Sequence, residues 1–307
     1  MLTLNLWGTN GPVHERLDVL THYLDATHPD VVALQEVRFL DGRSQSELIA
    51  DACGYPSRHY DRSWGSGDDE EGLAVLSRHP LTPLPSIPLP GRDRDVPRQL
   101  QRVELQIDGR TLLLANTHLA FRRRHGRLRL QQVRRILEVL PAGDHDADGA
   151  DGTHGADGEG STHGADGADG THGTHGTRGE SDQNHQNGQT GQTGQTARSA
   201  SRPMILVGDL NASAWSRAVR RLLAPLPRGG GLRDAHAAAA GRSRATFSLA
   251  NPFANQYWLL GRRIDHVLVS PGLRVVEARR VLTGTDAPVA SDHYGVRADL
   301  VIPSVPR

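Results

Sequence analysis

One stretch of the chain, residues 144–199, cannot contribute to a hydrophobic core. These 56 residues contain no Val, Ile, Leu, Met, Phe, Trp, Tyr or Cys, and they carry ten acidic residues against two arginines. A segment without apolar side chains cannot offset the chain entropy that folding removes, so we predict a disordered, low-complexity insertion. It joins a predicted helix to a predicted strand, where about two to six residues are usual. The fold must therefore be built by the residues on either side of it.

Histidines recur every nine residues in this insertion, at His145, His154, His163 and His172. The tract either binds transition metals or reflects the expansion of a short repeat. A calcium-binding β-roll is excluded, because each nine-residue repeat would need a large aliphatic side chain.

The formal net charge of the chain is zero, but the insertion carries −8 and the remaining 251 residues carry +8. A basic body favours an anionic partner. Cys53 is the only cysteine, which excludes an intramolecular disulfide and a cysteine-rich metal site. No apolar run approaches the length of a membrane span, and no secretory signal is visible, so we expect a cytoplasmic protein. Met1 lies almost on the first strand, which leaves the start site uncertain.

The hydrophobic pattern outside the insertion predicts a mixed α/β protein. Residues 14–27 and 126–140 have the spacing of amphipathic helices, and a further helix is expected over 44–52. Helices alternate with strands at first, whereas hairpins dominate later, which favours a mixed sheet over a regular doubly wound one. The predicted strands are 2–7, 31–34, 72–77, 101–107, 111–116, 204–208, 264–269, 273–281 and 296–302.

Polar side chains stand at the ends of several of these strands. They are Asn5, Gln35-Glu36, Asn116-Thr117-His118 and Asp209-Leu210-Asn211, with Asp265-His266 inside the predicted strand 264–269 and Ser291-Asp292-His293 before the last strand. Taken singly, each has a structural interpretation as a cap, a turn or a hydrogen-bonded buried group. Ligands gather at the carboxyl ends of strands in α/β sheets, so the ordered set favours one functional site.

The motifs LNLWG (4–8), ALQEV (33–37), GLAVLSRHPL (72–81), NTHL (116–119), GDLN (208–211), RIDHVLVS (263–270) and SDHYGV (291–296) resemble those of the endonuclease/exonuclease/phosphatase (DNase I-like) superfamily. The resemblance implies a four-layered sandwich of two packed mixed β-sheets flanked by helices, formed by a single domain over 1–307 that the insertion interrupts. It also implies a metal-dependent hydrolase acting on phosphate esters. The chain departs from some nucleases of the superfamily at Trp7, where they carry an acidic residue.

Asn5, Glu36 and Asp292 are the expected metal ligands, because oxygen donors suit Mg²⁺, with Mn²⁺ as an alternative. The resemblance pairs His293 with Asp265 and leaves the general base open between His293 and Asp209. It implies that Asn211 and His118 donate hydrogen bonds to phosphate oxygens.

The expected partner is a phosphate ester, either nucleic acid or a phospholipid headgroup of the sphingomyelin type, and the expected assembly is a monomer. The basic body favours a nuclease, but the sequence shows no basic stripe interleaved with aromatic residues. A lipid diesterase gains from the NTHL motif, yet the chain has no hydrophobic anchor. A phosphomonoesterase on inositol or nucleotide phosphates, and an inactive binding protein of the same fold, are the alternatives.

Overall fold

The computed structural model describes residues 1–92, 95–140, 202–225, 231–239, 244–254 and 261–303. The predicted insertion at 144–199 lies outside the described residues. Chain segments on both sides of it form the same sandwich, which confirms the predicted architecture of two mixed β-sheets flanked by helices.

The first sheet has seven strands among the described residues, in the order β12-β13-β1-β2-β5-β4, with β3 paired to β2. Only β1 and β2 run parallel in it. Its strands are β1 (Leu2–Asn5), β2 (Val31–Leu40), β3 (Arg43–Ser44), β4 (Ser57–Trp64), β5 (Glu71–Ser77), β12 (Arg274–Val281) and β13 (Gly295–Val301).

The second sheet has six strands in the described part of the chain, in the order β10-β11-β9-β8-β7-β6. The parallel pair β8–β9 joins the last strand before the insertion to the first strand after it. The strands are β6 (Leu81–Leu89), β7 (Arg98–Ile107), β8 (Arg110–His118), β9 (Met204–Asp209), β10 (Arg233–Asp234) and β11 (Asp265–Val269).

Helices cover the outer face of each sheet. The helices are α1 (Val13–Thr27), α2 (Gln45–Ala52), α3 (Gly126–Val139), α4 (Arg217–Leu223) and the short α5 (Ala235–Ala238). Leu20 of α1 and Ile49 of α2 pack with residues of β1 and β2 in one cluster. Val133 of α3 and Val219 of α4 pack with β8 and β9 in another. These faces bury the apolar stripes that periodicity predicted.

A third cluster fills the space between the two sheets. It brings Ala33 of β2 and Val75 of β5 against Val103, Leu114 and Val207 of the second sheet. Strands covered on both faces need apolar residues on both, and this explains the continuous apolar runs at 31–34 and 204–207. None of the helices in the described ranges is both long and apolar enough to cross a bilayer.

Candidate functional site

The polar strand ends meet at one edge of the sandwich. Asn5, His118 and Asp209 are the last residues of β1, β8 and β9. Asp265 begins β11 and lies opposite Asp209 in the antiparallel register. The Asn5 carboxamide crosses between the sheets, with its Nδ2 donating to Asp209 Oδ2 at 3.2 Å. The geometry therefore brings together side chains that lie up to 288 positions apart in the sequence, from Asn5 to His293.

The carboxylate of Asp209 stands at the centre of this edge. Its Oδ2 accepts from Asn5 Nδ2 and from Asn211 Nδ2, each at 3.2 Å. The Nε2 atoms of His118 and His293 lie 3.3 and 3.8 Å from the same oxygen. The backbone N–H of Asn211 donates to Oδ1 at 2.8 Å. Nitrogen groups that suit phosphate oxygens thus surround one carboxylate.

His293 is held by Asp265 on the side away from Asp209. Its Nδ1 lies 3.1 and 2.9 Å from the two carboxylate oxygens of Asp265, and the Phe247 ring packs against the imidazole with centroids 5.0 Å apart. Burial alone would lower the pKa of His293, but Asp265 and then Asp209 raise it well above its usual value. The imidazole is therefore favoured in its charged form.

His118 is neutral, and its tautomer is fixed. The guanidinium of Arg98 lies 2.9 Å from His118 Nδ1 through Nη1. Arg98 has no acceptor to offer, so Nδ1 must accept and Nε2 must carry the proton. Burial, followed by the charge of Arg98, holds the pKa of His118 well below its usual range. The Nε2 proton of His118 faces the centre of the site.

Glu36 interrupts β2 in a left-handed conformation, with φ of 52°, where the register against β5 shifts between Leu34 and Val37. For a non-glycine residue this conformation costs free energy and persists only where surrounding contacts hold it. Its carboxylate accepts from Asn5 Nδ2 at 2.9 Å. The bulge turns the side chain of Glu36 into the site.

Acidic groups, one buried and two half-buried, crowd this edge. Burial, and then the charge of Glu71, raises the pKa of Glu36 to about 7. Burial, and then Asp265, raises the pKa of Asp209 to about 7, and burial also raises the pKa of Asp292. Crowded carboxylates of this kind suit a divalent cation, whose charge would offset theirs.

Two groups of residues are placed to hold such a cation. Ligand atoms of Asp209, Asp265 and His293 lie within 4.8 Å of one another. Glu36, with Asp292 close enough to raise its pKa, offers a second set made of oxygen donors. His293 and Asp265 already bond to each other, so the set around Glu36 is the freer of the two and fits the preference of Mg²⁺ for oxygen.

Asn5 is oriented differently from our expectation of an oxygen ligand. Its Oδ1 accepts from the backbone N–H of Trp7 at 2.9 Å, which turns Nδ2 toward Glu36 and Asp209. Trp7 itself turns away from the site, since its ring packs against Phe253 and the Arg16 guanidinium.

Several residues at the site were not predicted. From the sequence, Arg98 and Arg102 could each be a phosphate contact or an ordinary surface charge. In the structure Arg98 is buried against His118, whereas Arg102 is half-buried and donates to Pro85 O. Glu71 faces Arg38, with 3.3 Å between Oε2 and Nε. In the sequence Arg98 and Arg102 each lie two residues from Leu100, so the strand pattern did not distinguish one arginine from the other.

An open cleft of about 360 Å³ contains Glu36, His118, Asp209, Asn211 and His293 among its lining residues. Trp64, Phe121 and Phe247 contribute aromatic walls. A larger cavity, about 650 Å³, opens at the opposite edge and is lined mainly by aliphatic side chains. The cleft, where the donors and carboxylates meet, is the candidate active site.

Comparisons with known proteins agree with this fold. The model of the "Endonuclease/Exonuclease/phosphatase family" matches residues 2–293. No curated protein sequence matches the chain significantly. Among solved structures, an endonuclease/exonuclease/phosphatase family protein from Leptotrichia buccalis C-1013-b has a TM-score of 0.63 at 16% identity, covering 98% of each chain.

Two further structures carry more specific descriptions. D. rerio TDP2 complexed with a single-strand DNA product has a TM-score of 0.61 at 15% identity, covering 98% of this chain and 97% of that one. The mannosyl-6-phosphatase Bt3783 of Bacteroides thetaiotaomicron has a TM-score of 0.56 at 17% identity, covering 98% of both. At these sequence identities the similarity shows a shared fold alone.

Proposed function

The chain belongs to the endonuclease/exonuclease/phosphatase family, and from that premise we propose that it hydrolyses a phosphodiester by metal-assisted attack of an activated water. The observation that carries the proposal is the convergence of Asn5, Asn211, His118 and His293 on one oxygen of Asp209. Hydrolysis of a phosphate ester needs donors for the non-bridging oxygens and an acceptor for the proton of water, and this cluster supplies both.

Glu36 and Asp292 are the proposed metal ligands, and Asn5 holds the Glu36 carboxylate in place through its Nδ2. The oxygen donors fit Mg²⁺ or Mn²⁺. When bound, such an ion supplies Lewis-acid stabilisation of negative charge on a phosphoryl oxygen.

Three side chains are assigned to the phosphate. His118 donates from Nε2, the tautomer that Arg98 selects. Asn211 donates from Nδ2, and its position is fixed by its left-handed backbone (φ 47°) and by a bond to Leu119 O at 3.1 Å. His293, as an imidazolium oriented by Asp265, provides a charged donor.

Asp209 is the proposed general base. Its carboxylate lies between the histidines and the carboxamide of Asn5, where it can accept a proton from the attacking water. This choice follows from the charged state of His293, since an imidazolium cannot accept a further proton at Nε2. Of the two candidates that the sequence left open, His293 and Asp209, we therefore favour Asp209.

A phosphodiester is proposed over a phosphomonoester because the cleft is open and walled by aromatic rings on more than one side. Groups attached to both ester oxygens can then leave the site in different directions. Among the structural neighbours, TDP2 is described with a single-strand DNA product and Bt3783 as a mannosyl-6-phosphatase. The proposal of a phosphodiester therefore rests on the cleft of this chain and not on its structural neighbours.

The test is hydrolysis of bis(p-nitrophenyl) phosphate against p-nitrophenyl phosphate by the full chain, with Mg²⁺, with Mn²⁺ and with EDTA. We expect diester hydrolysis that EDTA abolishes and that His293→Ala or Glu36→Gln lowers by about a thousandfold. The matched controls are His22→Ala and Glu15→Gln, both on the exposed face of α1. Diester hydrolysis indifferent to EDTA and to both site variants contradicts the proposal, as does activity confined to the monoester.

A further inference from the structure

The two helices on the outside of the second sheet carry a concentrated positive charge. Residues 118–139 and 210–225, which contain α3, α4 and the loops that lead into them, hold ten arginines against one acidic residue, Glu138. The basic character of the body is therefore not spread evenly. A surface with such an excess of arginine favours a polyanion.

These arginines share one outward surface. Val133 and Ile136 of α3 and Val219 and Leu222 of α4 are buried on the second sheet, so the opposite sides of both helices face solvent. Arg127 and Arg134 are exposed and seven residues apart, which places them on one face of α3. Arg220 and Arg221 are exposed on the neighbouring helix α4. We call the exposed arginines of α3 and α4 the arginine face.

The arginine face begins at the active-site cleft. The loop before α3 follows His118, and the loop before α4 follows Asn211. The two loops are tied together where Asn211 Nδ2 donates to Leu119 O at 3.1 Å and Leu119 N donates to Asp209 O at 2.9 Å. A chain bound along the helices can therefore enter the cleft without crossing another element.

Two aromatic rings stand on these loops and are open to solvent. Phe121 is 49% exposed and also lines the cleft, while Trp215, four residues after Asn211, is 86% exposed. The Arg122 guanidinium lies 5.5 Å from the centroid of the Phe121 ring, and its Nε lies 3.8 Å from Asp95 Oδ1. Exposed rings beside arginines are the combination that binds unpaired bases and their phosphates.

We propose that the arginine face, with Phe121 and Trp215, binds a single-stranded nucleic acid and delivers one of its phosphodiesters to the cleft. This inference rests on the proposed phosphodiesterase function and names its substrate class. The sequence did not predict this surface, because its rings and arginines come from two segments separated by the insertion. The fold places them side by side.

The length of the arginine face favours a strand over a membrane. A helix of 14 residues, such as α3, is about 21 Å long. A flexible single strand can follow arginines spread along a helix of this length over several nucleotides. Phe121 and Trp215, the exposed large apolar side chains on the described loops before α3 and α4, are also aromatic, unlike the aliphatic residues that anchor a protein in lipid.

Binding is measured with fluorescein-labelled oligo(dT) by anisotropy, using the full chain with His293→Ala to prevent cleavage. We expect Phe121→Ala together with Trp215→Ala to weaken binding about tenfold or more, since two stacking contacts are removed. Removing Arg127, Arg134 and Arg220 should reduce the slope of log K against log salt by about two, because each phosphate contact on a single strand contributes roughly 0.7.

The matched controls lie on the first sheet. Val276→Ala removes an exposed apolar side chain there, and Arg43, Arg274 and Arg279 replaced together by alanine remove the same charge. Both controls should bind as the parent does. A blunt duplex of the same length should bind more weakly and should lose nothing when the two rings are removed.

Three outcomes would overturn the inference. The first is oligo(dT) binding that is unchanged by the ring and arginine variants, and the second is equal loss in the controls. The third is binding to vesicles of phosphatidylcholine and phosphatidylserine without binding to oligo(dT), which would assign the surface to lipid. Hydrolysis of bis(p-nitrophenyl) phosphate by the unmutated chain reports on the chemistry separately, so failure of nucleic-acid binding is distinguishable from failure of the proposed function.

Discussion

The guanidinium of Arg98 lies 2.9 Å from Nδ1 of His118 and thereby selects the His118 tautomer that carries its proton on Nε2. Arg98 is itself buried, and burial lowers the pKa of its guanidinium while Glu36 acts in the opposite direction. None of the described carboxylates forms an ion pair with Arg98, and burying a cation without such a partner costs folding free energy. We infer that this cost is tolerated because Arg98 has a function. Arg98 is thus a positioning residue that acts through His118.

Replacing Arg98 by methionine should lower kcat on bis(p-nitrophenyl) phosphate by about 10- to 100-fold, because a hydrogen bond to a charged group contributes roughly 1.5–3 kcal/mol. His118 would then sample both tautomers, and its Nε2 proton would no longer be assured. Steady-state kinetics and a melting curve measure the two effects separately. Arg102→Met is the control, since Arg102 lies on the same strand and donates to Pro85 O rather than to His118. Equal kcat values for the two variants would refute the role of Arg98.

Asp265→Asn should lower kcat by about a thousandfold with little change in KM. The buried Asp265 contacts Nδ1 of His293 and does not line the cleft, so its loss disturbs the orientation and charge of His293 rather than substrate binding. The measurement is a full kinetic profile, with Asp299→Asn on β13 as a control. Unchanged kcat in Asp265→Asn would show that His293 works without this partner.

Arg16→Met should lower the free energy of unfolding by roughly 3 kcal/mol, because it leaves buried carbonyl groups without donors. Arg16 is buried in α1, and its guanidinium donates to the carbonyl oxygens of Leu6, Gly8, Asn10 and Ala290. These bonds hold the loop after Asn5 against the segment before Asp292.

Urea denaturation measures the loss at Arg16. Arg58→Met is its control, since Arg58 forms an exposed ion pair with Asp51 that should contribute less than about 1 kcal/mol. A loss at Arg16 no larger than the loss at Arg58 would contradict the structural role of the buried guanidinium.

Cys53 should react slowly with thiol reagents in the folded protein. Burial, followed by the charge of Asp25, raises the pKa of its thiol to about 11, so the reactive thiolate is scarce below that pH and increases as the pH rises. At about pH 8 we expect labelling by 5,5′-dithiobis(2-nitrobenzoic acid) to be at least a hundredfold slower than in concentrated guanidinium chloride. Similar rates in the two conditions would show that the thiol is accessible.

Replacing residues 144–199 with a short glycine–serine linker should leave the melting temperature and kcat close to those of the full chain. The segment has no large apolar side chain with which to pack against the sandwich. Differential scanning calorimetry and diester hydrolysis measure the outcome. A fall in melting temperature of more than about 5 °C would show that the insertion stabilises the domain.

The central strands were predictable because their side chains are buried on both faces. Two edge strands, β4 and β6, were not predicted: β4 is polar, with sequence SRHYDRSW, and β6 contains Pro83, Pro85 and Pro88. Prolines suit an edge strand, which has no neighbour to receive the missing N–H, and they conceal the strand in a sequence pattern. A strand that is polar throughout or rich in proline is thus harder to predict from the sequence than one that carries apolar side chains.

The site shows the same division. Glu36 was predicted as a strand-end carboxylate, yet it reaches the cleft through a bulge within the longer β2. Arg98 gave no signal, because its function depends on His118 across a strand pair that only the register defines. Residue types and order indicated the chemistry, whereas orientation and partner choice depended on the three-dimensional arrangement.

The pairing of β1 with both β2 and β13 has a consequence for how the protein is made. Among the described strands, β13 comes latest in the sequence and lies between β1 and β12, so the first sheet remains incomplete until residues 295–301 have left the ribosome. The site can form only after Asp209, Asp265 and His293 have been synthesised, because they follow Asn5, Glu36 and His118 in the chain. A nick within 144–199 would divide the catalytic machinery between two fragments, and hydrolysis would survive only while strand pairing kept those fragments associated.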